Sequence, residues 1–139
     1  MQVVHYPADG SAEGVDGDGA GSEADPAEAG VEDEGRVLAT DVDTADSFLA
    51  RARGLMFRRS VPDGYALVFP FDGVGRRDLH MVFVPFPIDA VWLVDGEVTK
   101  RKRLRPWLGV GVARADTVVE LPAGAAEGVA EGDRIDLVE

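Results

Sequence analysis

The chain has 139 residues, a net charge of −12 from 26 acidic against 14 basic side chains, and 45% hydrophobic content, a balance suited to one globular core. It contains no cysteine, which excludes a disulfide framework, a thiolate nucleophile and any cysteine-held zinc or iron–sulfur group. The first ten residues show neither a basic nor an apolar leader region, and nowhere do eighteen apolar residues run together. The expectation is a cytoplasmic protein with no membrane partner.

The acidity is concentrated at one end. Residues 1–35 hold ten acidic side chains and no Lys or Arg; removing those ten from the 26 leaves 16 acidic against 14 basic groups on residues 36–139. The sequence therefore divides into an acidic Gly/Asp/Glu-rich arm over 1–35 and a single, nearly neutral domain over 36–139. The stretch Asp9–Gly35 has almost no large apolar residues and cannot repay its ordering entropy, so disorder is expected there. Met1–Tyr6 is β-prone up to Pro7. It either returns to pair with Arg36–Thr40 as an edge strand or stays free.

From Arg36 onward the pattern reads as compact. Val37–Thr40 is a short strand. Asp43 or Thr44 can cap a helix through Arg53, with Ala45, Phe48, Leu49 and Ala52 on one face and Gly54 as its stop. Leu55-Met56-Phe57 enters the core, and Val61–Gly64 is a turn. Tyr65–Phe69 is a strand that Pro70 ends, Phe71–Arg77 a loop, and Leu79–Val84 a strand broken by Pro85-Phe86-Pro87. Ile88–Val94 and Glu97–Leu104 flank Asp95-Gly96, the strongest hairpin signal, because a type I′ turn needs positive φ at both positions. Arg105–Ala115 reads as a Gly-rich loop carrying Trp107, and Thr117–Leu121 as a strand. Pro122–Val129 gives one or two helical turns, Gly132-Asp133 a turn and Arg134–Val138 the closing strand. The fold class is mainly β: a small barrel or jelly-roll-like sandwich with one or two short helices.

Three clusters of residues could carry chemistry. Arg51, Arg53, Arg58, Arg59, Arg76 and Arg77 form either an anion site, since guanidinium forks match carboxylate and phosphate oxygens, or a surface network with Asp41, Asp43, Asp46, Asp63, Asp72 and Asp78; alternating charge near helix ends favours the network. Lys100-Arg101-Lys102-Arg103 with Arg105 lies in a strand that sends the lysines to one face and the arginines to the other. That split suits a protected edge strand better than a nucleic-acid surface. His80, between Leu79 and Met81, is one of two histidines, the other being His5. Asp89 lies in an apolar run where a carboxylate needs a partner, either His80 or an arginine of the Arg53–Arg59 region. A structural pairing for Asp89 is favoured over ligand binding or acid–base work. The nucleophile-elbow, P-loop and helical zinc-pair patterns are all missing, so no catalytic residue, metal or cofactor is assigned.

Taken in order, Arg53-Gly-Leu-Met-Phe-Arg58, Tyr65–Phe69, Leu79-His-Met81, Pro87-Ile-Asp-Ala-Val-Trp-Leu93, Val119–Ala126 and Gly132-Asp133 resemble the family named domain of unknown function 192. The match runs from about Val37 to Val138. Among the 14 basic residues twelve are Arg, Asp outnumbers Glu, and Ile88 and Ile135 are the only isoleucines; the composition resembles that of salt-adapted archaea. The resemblance implies a compact mainly-β domain and supplies no activity. Many bacterial relatives have Lys-Asn-Thr where this chain has Val82-Phe83-Val84, so a polar site built there is altered. The candidate ligand-binding residues are Arg53, Met56, Arg58, His80 and Asp89, for a small anionic molecule or a partner protein. The alternatives are a hydrolase or lyase using His80 and Asp89 as base and orienter, and an interaction module using the Trp107 loop.

Overall fold

The computed structural model describes residues 1–8, 35–45, 54–56 and 58–139. Eight strands form one sheet: β1 (Gln2–Tyr6), β2 (Arg36–Ala39), β3 (Asp41–Thr44), β4 (Tyr65–His80), β5 (Ile88–Val94), β6 (Glu97–Leu104), β7 (Val110–Pro122) and β8 (Arg134–Val138). Their order is β2-β1-β8-β6-β5-β7-β4-β3. The two outermost strands are consecutive in the chain, separated by Thr40 alone. In a flat sheet seven spacings of ~4.8 Å would put those edges ~34 Å apart, whereas residues 39 and 41 lie within ~7 Å of each other. The sheet must therefore curl until its edges meet end to end, and Gly64 O clamps the junction by accepting from Thr40 N and Asp41 N at 2.9 Å each. The result is barrel-like, as the strand count and spacing suggested.

Both faces of the central strands are buried, because each is covered by different material. On the inner face Val3, Leu38, Ala66, Val68, Val91, Leu93, Val98, Val119, Leu121 and Ile135 pack together, with Val42 against them, so every strand contributes. The alternate residues Tyr65, Leu67, Phe69, Ile88, Ala90, Trp92 and Val118 form a second cluster on the outer face of β4, β5 and β7. Leu55, Met81 and Val84 lie over it, supplied by residues 54–56, 58–61 and 81–87. That covering layer is where the candidate residues lie.

The hairpin at Asp95-Gly96 forms as expected, with φ of 56° and 84°. Strand β1 pairs with β2, the first of its two alternatives, but it is not an edge, because β8 flanks it on the other side. Several boundaries differ from expectation. Pro70 does not end β4, which runs on to His80. It sits at a bulge opposite β7, next to the point where β3 stops, so no ladder bond needs its missing N–H. The expected loops Phe71–Arg77 and Arg105–Ala115 are largely strand, since residues 75–80 and 110–115 pair with each other. The strand expected over Leu79–Val84 stops at His80, where Val84 N donates to Met81 O in a turn with Phe83 at φ 63°. Residues 122–129 form three successive tight turns, Ala125 N to Pro122 O, Glu127 N to Gly124 O and Val129 N to Ala126 O. Left-handed glycines at Gly124 and Gly128 prevent a helix there. Thr44 belongs to β3, and most of the expected helix to Arg53, like the arm over 9–34, lies outside the described residues. Among the described residues no helix is long and apolar enough to cross a membrane.

Strand β7 crosses the Trp92 ring at Gly111, where an added Cβ would stand 2.6 Å from Trp92 Cη2. Trp92 is fully buried and its indole N–H donates to Arg77 O at 2.9 Å, so the ring cannot yield. Gly111→Ala is expected to destabilise the fold by about 1–3 kcal/mol through overpacking, read as a lower midpoint in chemical denaturation. Gly75→Ala, whose added carbon meets only the Arg77 guanidinium at 3.5 Å, is expected to leave the midpoint nearly unchanged.

Candidate functional site

Side chains alternate along β5 and β7, and that alternation sorts two buried acids onto opposite faces. Asp89 is fully buried on the inner face. Its Oδ1 accepts from Arg103 Nε at 2.5 Å, and its Oδ2 accepts from the amides of Gly124 and Ala126 at 3.0 Å each. The carboxylate thus ties β5 to its cross-strand neighbour Arg103 and holds the 122–129 turns. Among the described residues the partner is Arg103 and not the expected His80 or Arg58 and Arg59 of the Arg53–Arg59 region, since His80 lies toward the opposite face; Arg53 lies outside the described residues. Asp89 and His80 are therefore not brought together as base and orienter.

The other acid is Glu120, which stands opposite Ala90 of β5 and Leu67 of β4 and faces the covering layer. It is 6% exposed. It lines a cavity of about 70 Å³ whose walls include Gly54, Leu55, Met56, Phe69, Met81, Val84 and Ile88, with Asp78 and His80 also on the lining. Burial among these apolar walls pushes the Glu120 carboxyl up to about 8, against a smaller downward pull from the Arg58 charge. At neutral pH it is mainly a neutral acid, able to donate a hydrogen bond as well as accept one. Sequence reading passed over Glu120 although the signal was the same as for Asp89, a lone carboxylate inside an apolar run between Val119 and Leu121.

His80 is exposed on the lining, and its Nδ1 accepts from Val82 N at 3.2 Å. That bond leaves Nε2 as the N–H of the neutral ring. His80, Leu79 and Asp78 also line an open groove of about 480 Å³ with Arg76, Lys100, Lys102 and Val110, so His80 stands where cavity and groove adjoin. The Arg58 guanidinium lies over the Tyr65 ring, 5.1 Å from its centroid, and Tyr65 donates its hydroxyl to Asp43 at 3.0 Å. Of the expected ligand-binding residues, the structure brings Met56 and His80 to one cavity with Arg58 close enough to influence its acid. It sends Asp89 elsewhere, and Arg53 lies outside the described residues.

Six further arginines and lysines are engaged within the fold. Arg76 pairs with Asp78 at 3.2 Å on the surface, whereas Arg77 donates to Ala115 O and Gly73 O and covers the Phe71 ring. On β6, Lys100 donates to Val112 O and Lys102 to Val110 O on one side, while Arg101 donates to Val129 O and Arg103 to Asp89 on the other. The lysines thereby cap carbonyls along β7 beyond its pairing with β5. His5 is buried and pairs with Asp133 Oδ2 at 2.8 Å. Trp107 is 51% exposed beside Leu108, and its ring meets Phe83 edge to face with centroids 5.8 Å apart. Both aromatics are held at φ 63°, a left-handed conformation that bulky residues seldom adopt.

The family model described as an uncharacterized ACR family, DUF192, matches residues 29–137. The chain belongs to the DUF192 family. A UPF0127 protein of Thermococcus sibiricus is 39% identical over an alignment of 108 positions that covers 73% of this chain and 69% of the relative. Among solved structures, a candidate transcription regulator from Sinorhizobium meliloti superposes with a TM-score of 0.63 at 25% identity, covering 68% of this chain and 79% of that one. A protein of unknown function from Novosphingobium aromaticivorans shares the fold with a TM-score of 0.61 at 22% identity, covering 69% and 74%. DUF192 thus supplies the fold of this chain and no specific activity.

Two stability predictions follow from the acids. The folded form of Glu120 holds its proton more tightly than the unfolded chain. Its contribution is therefore complete below the ordinary value of 4.5 and is lost as pH rises to about 8. Glu120→Gln is expected to raise the melting temperature relative to wild type progressively across that interval and to hold that gain above it, as measured by calorimetry against pH. For Asp89→Ala, the amides of Gly124 and Ala126 lose their acceptor inside the protein, and a loss of roughly 2–4 kcal/mol is expected in chemical denaturation.

Proposed function

We propose that this domain binds a small anionic molecule in the cavity above Glu120. The observation that carries the reading is the placement of a nine-tenths-buried carboxyl against apolar walls in a cavity whose lining also includes Met56, Asp78 and His80. A fold gains nothing in stability from such an acid at neutral pH, and perturbed acids in cavities are characteristic of sites. Binding is favoured over hydrolysis because the described lining residues include no Ser, Thr, Lys or Tyr, and Asp89 bonds Arg103 on the opposite face rather than orienting His80. Regulation of transcription, the role suggested for the Sinorhizobium meliloti neighbour, would need a free basic surface, whereas Lys100 to Arg103 are each bonded within the fold.

A thermal-shift screen of metabolites tests the reading with two variants. Met56→Trp is expected to fill the cavity and remove any ligand-induced rise, whereas Asp89→Asn, on the opposite face, is expected to keep it despite a lower starting stability. A ligand at a hundred times its Kd adds about 2.7 kcal/mol to wild type. A ligand whose effect survives Met56→Trp would place binding elsewhere and overturn the proposal.

A second reading, contact with another protein, is favoured by one observation: Trp107, Leu108, Phe83 and Val82 are all exposed together on adjoining loops. Self-association is its directly measurable form. A dimer in sedimentation velocity that Trp107→Ser converts to monomer would support it, and a wild-type monomer would remove that form of it.

A further inference from the structure

The groups available at this cavity restrict what an anion there can be. Glu120 supplies an O–H, His80 an Nε2–H and Arg58 a positive charge close enough to act on Glu120, so at neutral pH the site presents donors to an acceptor. The space is about 70 Å³, several times the ~10–15 Å³ that one water needs in a cavity, and Leu55, Met56, Phe69, Val84 and Ile88 surround it. A tetrahedral dianion would bring a second charge into these apolar walls with no second cation beside it among the described residues. A planar monoanion with a short hydrocarbon tail meets the donors with its oxygens and the walls with its carbons.

We propose that the ligand seated on Glu120 is a short-chain carboxylate, bound so that one proton is shared between its oxygens and those of Glu120. This rests on the cavity reading above. A carboxylate facing an ionised Glu120 would place two like charges in one buried space, which is disfavoured unless a proton sits between them. Among the described residues the other charged and titratable groups near the acid are Asp78 and His80 from β4 and Arg58 from the covering segment, with Tyr65 and Asp43 behind Arg58. Asp78 is two-thirds exposed and paired with Arg76, so its field is screened by solvent. Below pH 8 Glu120 already holds the shared proton and the ligand enters as the anion alone. Above pH 8 each carboxylate must bring a proton in from solvent.

Isothermal titration calorimetry on the full chain with acetate, propionate and butyrate, repeated in buffers of different ionisation enthalpy, reads this directly. The expected result is an affinity about tenfold weaker at pH 9 than at pH 7, with about one proton taken up per ligand at pH 9 and almost none at pH 6. Glu120→Gln keeps a donor of similar shape but cannot titrate, so it is expected to bind with that pH dependence and proton uptake abolished. Methylammonium, acetamide and inorganic phosphate are the comparison probes. If one of these binds, is blocked by Met56→Trp and outcompetes propionate, the carboxylate assignment is wrong while the cavity remains a site. If carboxylates bind with no proton uptake at pH 9, or with the same uptake in Glu120→Gln, the shared proton is contradicted. If none of the probes gives heat or a thermal shift, both the carboxylate and the small-anion readings fall.

Discussion

Strands β5 and β7 have protein against both faces, so no side chain on their central stretch can turn to water. Pleating then decides each residue's surroundings by its parity alone. Asp89 and Glu120 are both acids in valine-rich runs, and their different fates follow from this constraint. One falls on the inner face opposite Arg103 and beside two free amides, where it remains an acceptor for three hydrogen bonds. The other falls on the outer face between Leu67 and Ala90, beneath apolar side chains, where burial holds its proton. A one-residue slip of β7 would exchange Glu120 for Val119 or Leu121 at the cavity.

The covering layer exists because the sheet closes. With β2 and β3 consecutive and joined through Thr40, the interior is filled by residues of every strand, and the apolar outer face of β4, β5 and β7 must be covered from elsewhere. Among the described residues Leu55, Met56, Met81 and Val84 lie over it, and the cavity stands between them and Glu120. The basic strand β6 holds this arrangement from the side. Its lysines satisfy β7 carbonyls and its arginines reach Val129 O and Asp89, so a run of charges that looks like a surface patch is a set of internal ties. At the other end of the barrel His5 and Asp133 tie β1 to the turn before β8. Burial alone would raise the Asp133 carboxyl, but the His5 bond and the amides of Ala8 and Ala130 outweigh it and bring it below its ordinary value. Its contribution to stability is therefore present above about pH 3.8 and is lost below it, the reverse of Glu120.

Much of the architecture was legible from residues: the Asp95-Gly96 hairpin, the mainly-β class, the division of Lys100 to Arg103 between two faces, and the possible return of Met1–Tyr6. The lengths of β4 and β7 were not. Pro70, Gly73, Gly75, Gly109 and Gly111 carry local breaker signals that pairing overrides, and Gly111 is present for the Trp92 ring rather than for a turn. Asp89 shows how near a sequence argument can come. A regular two-residue hairpin places Lys102 opposite it, and the extra residue Thr99, bulged between the Trp92–Lys100 and Leu93–Val98 pairs, moves that position to Arg103. Met56 is singled out by its place in the family pattern and His80 as one of two histidines. Glu120 needed the registers of both β4 and β5 before its surroundings were visible.

The central claim is that Glu120 is a neutral acid at physiological pH. A pH titration of the glutamate side-chain carboxyl carbons by NMR, with Glu120 assigned by the signal missing from Glu120→Gln, tests it most directly. A midpoint near 8 is predicted, with the protonated shift persisting at pH 7. A midpoint near the ordinary 4.5 would mean that the carboxylate is charged and solvated or paired, and that the cavity holds no neutral acid.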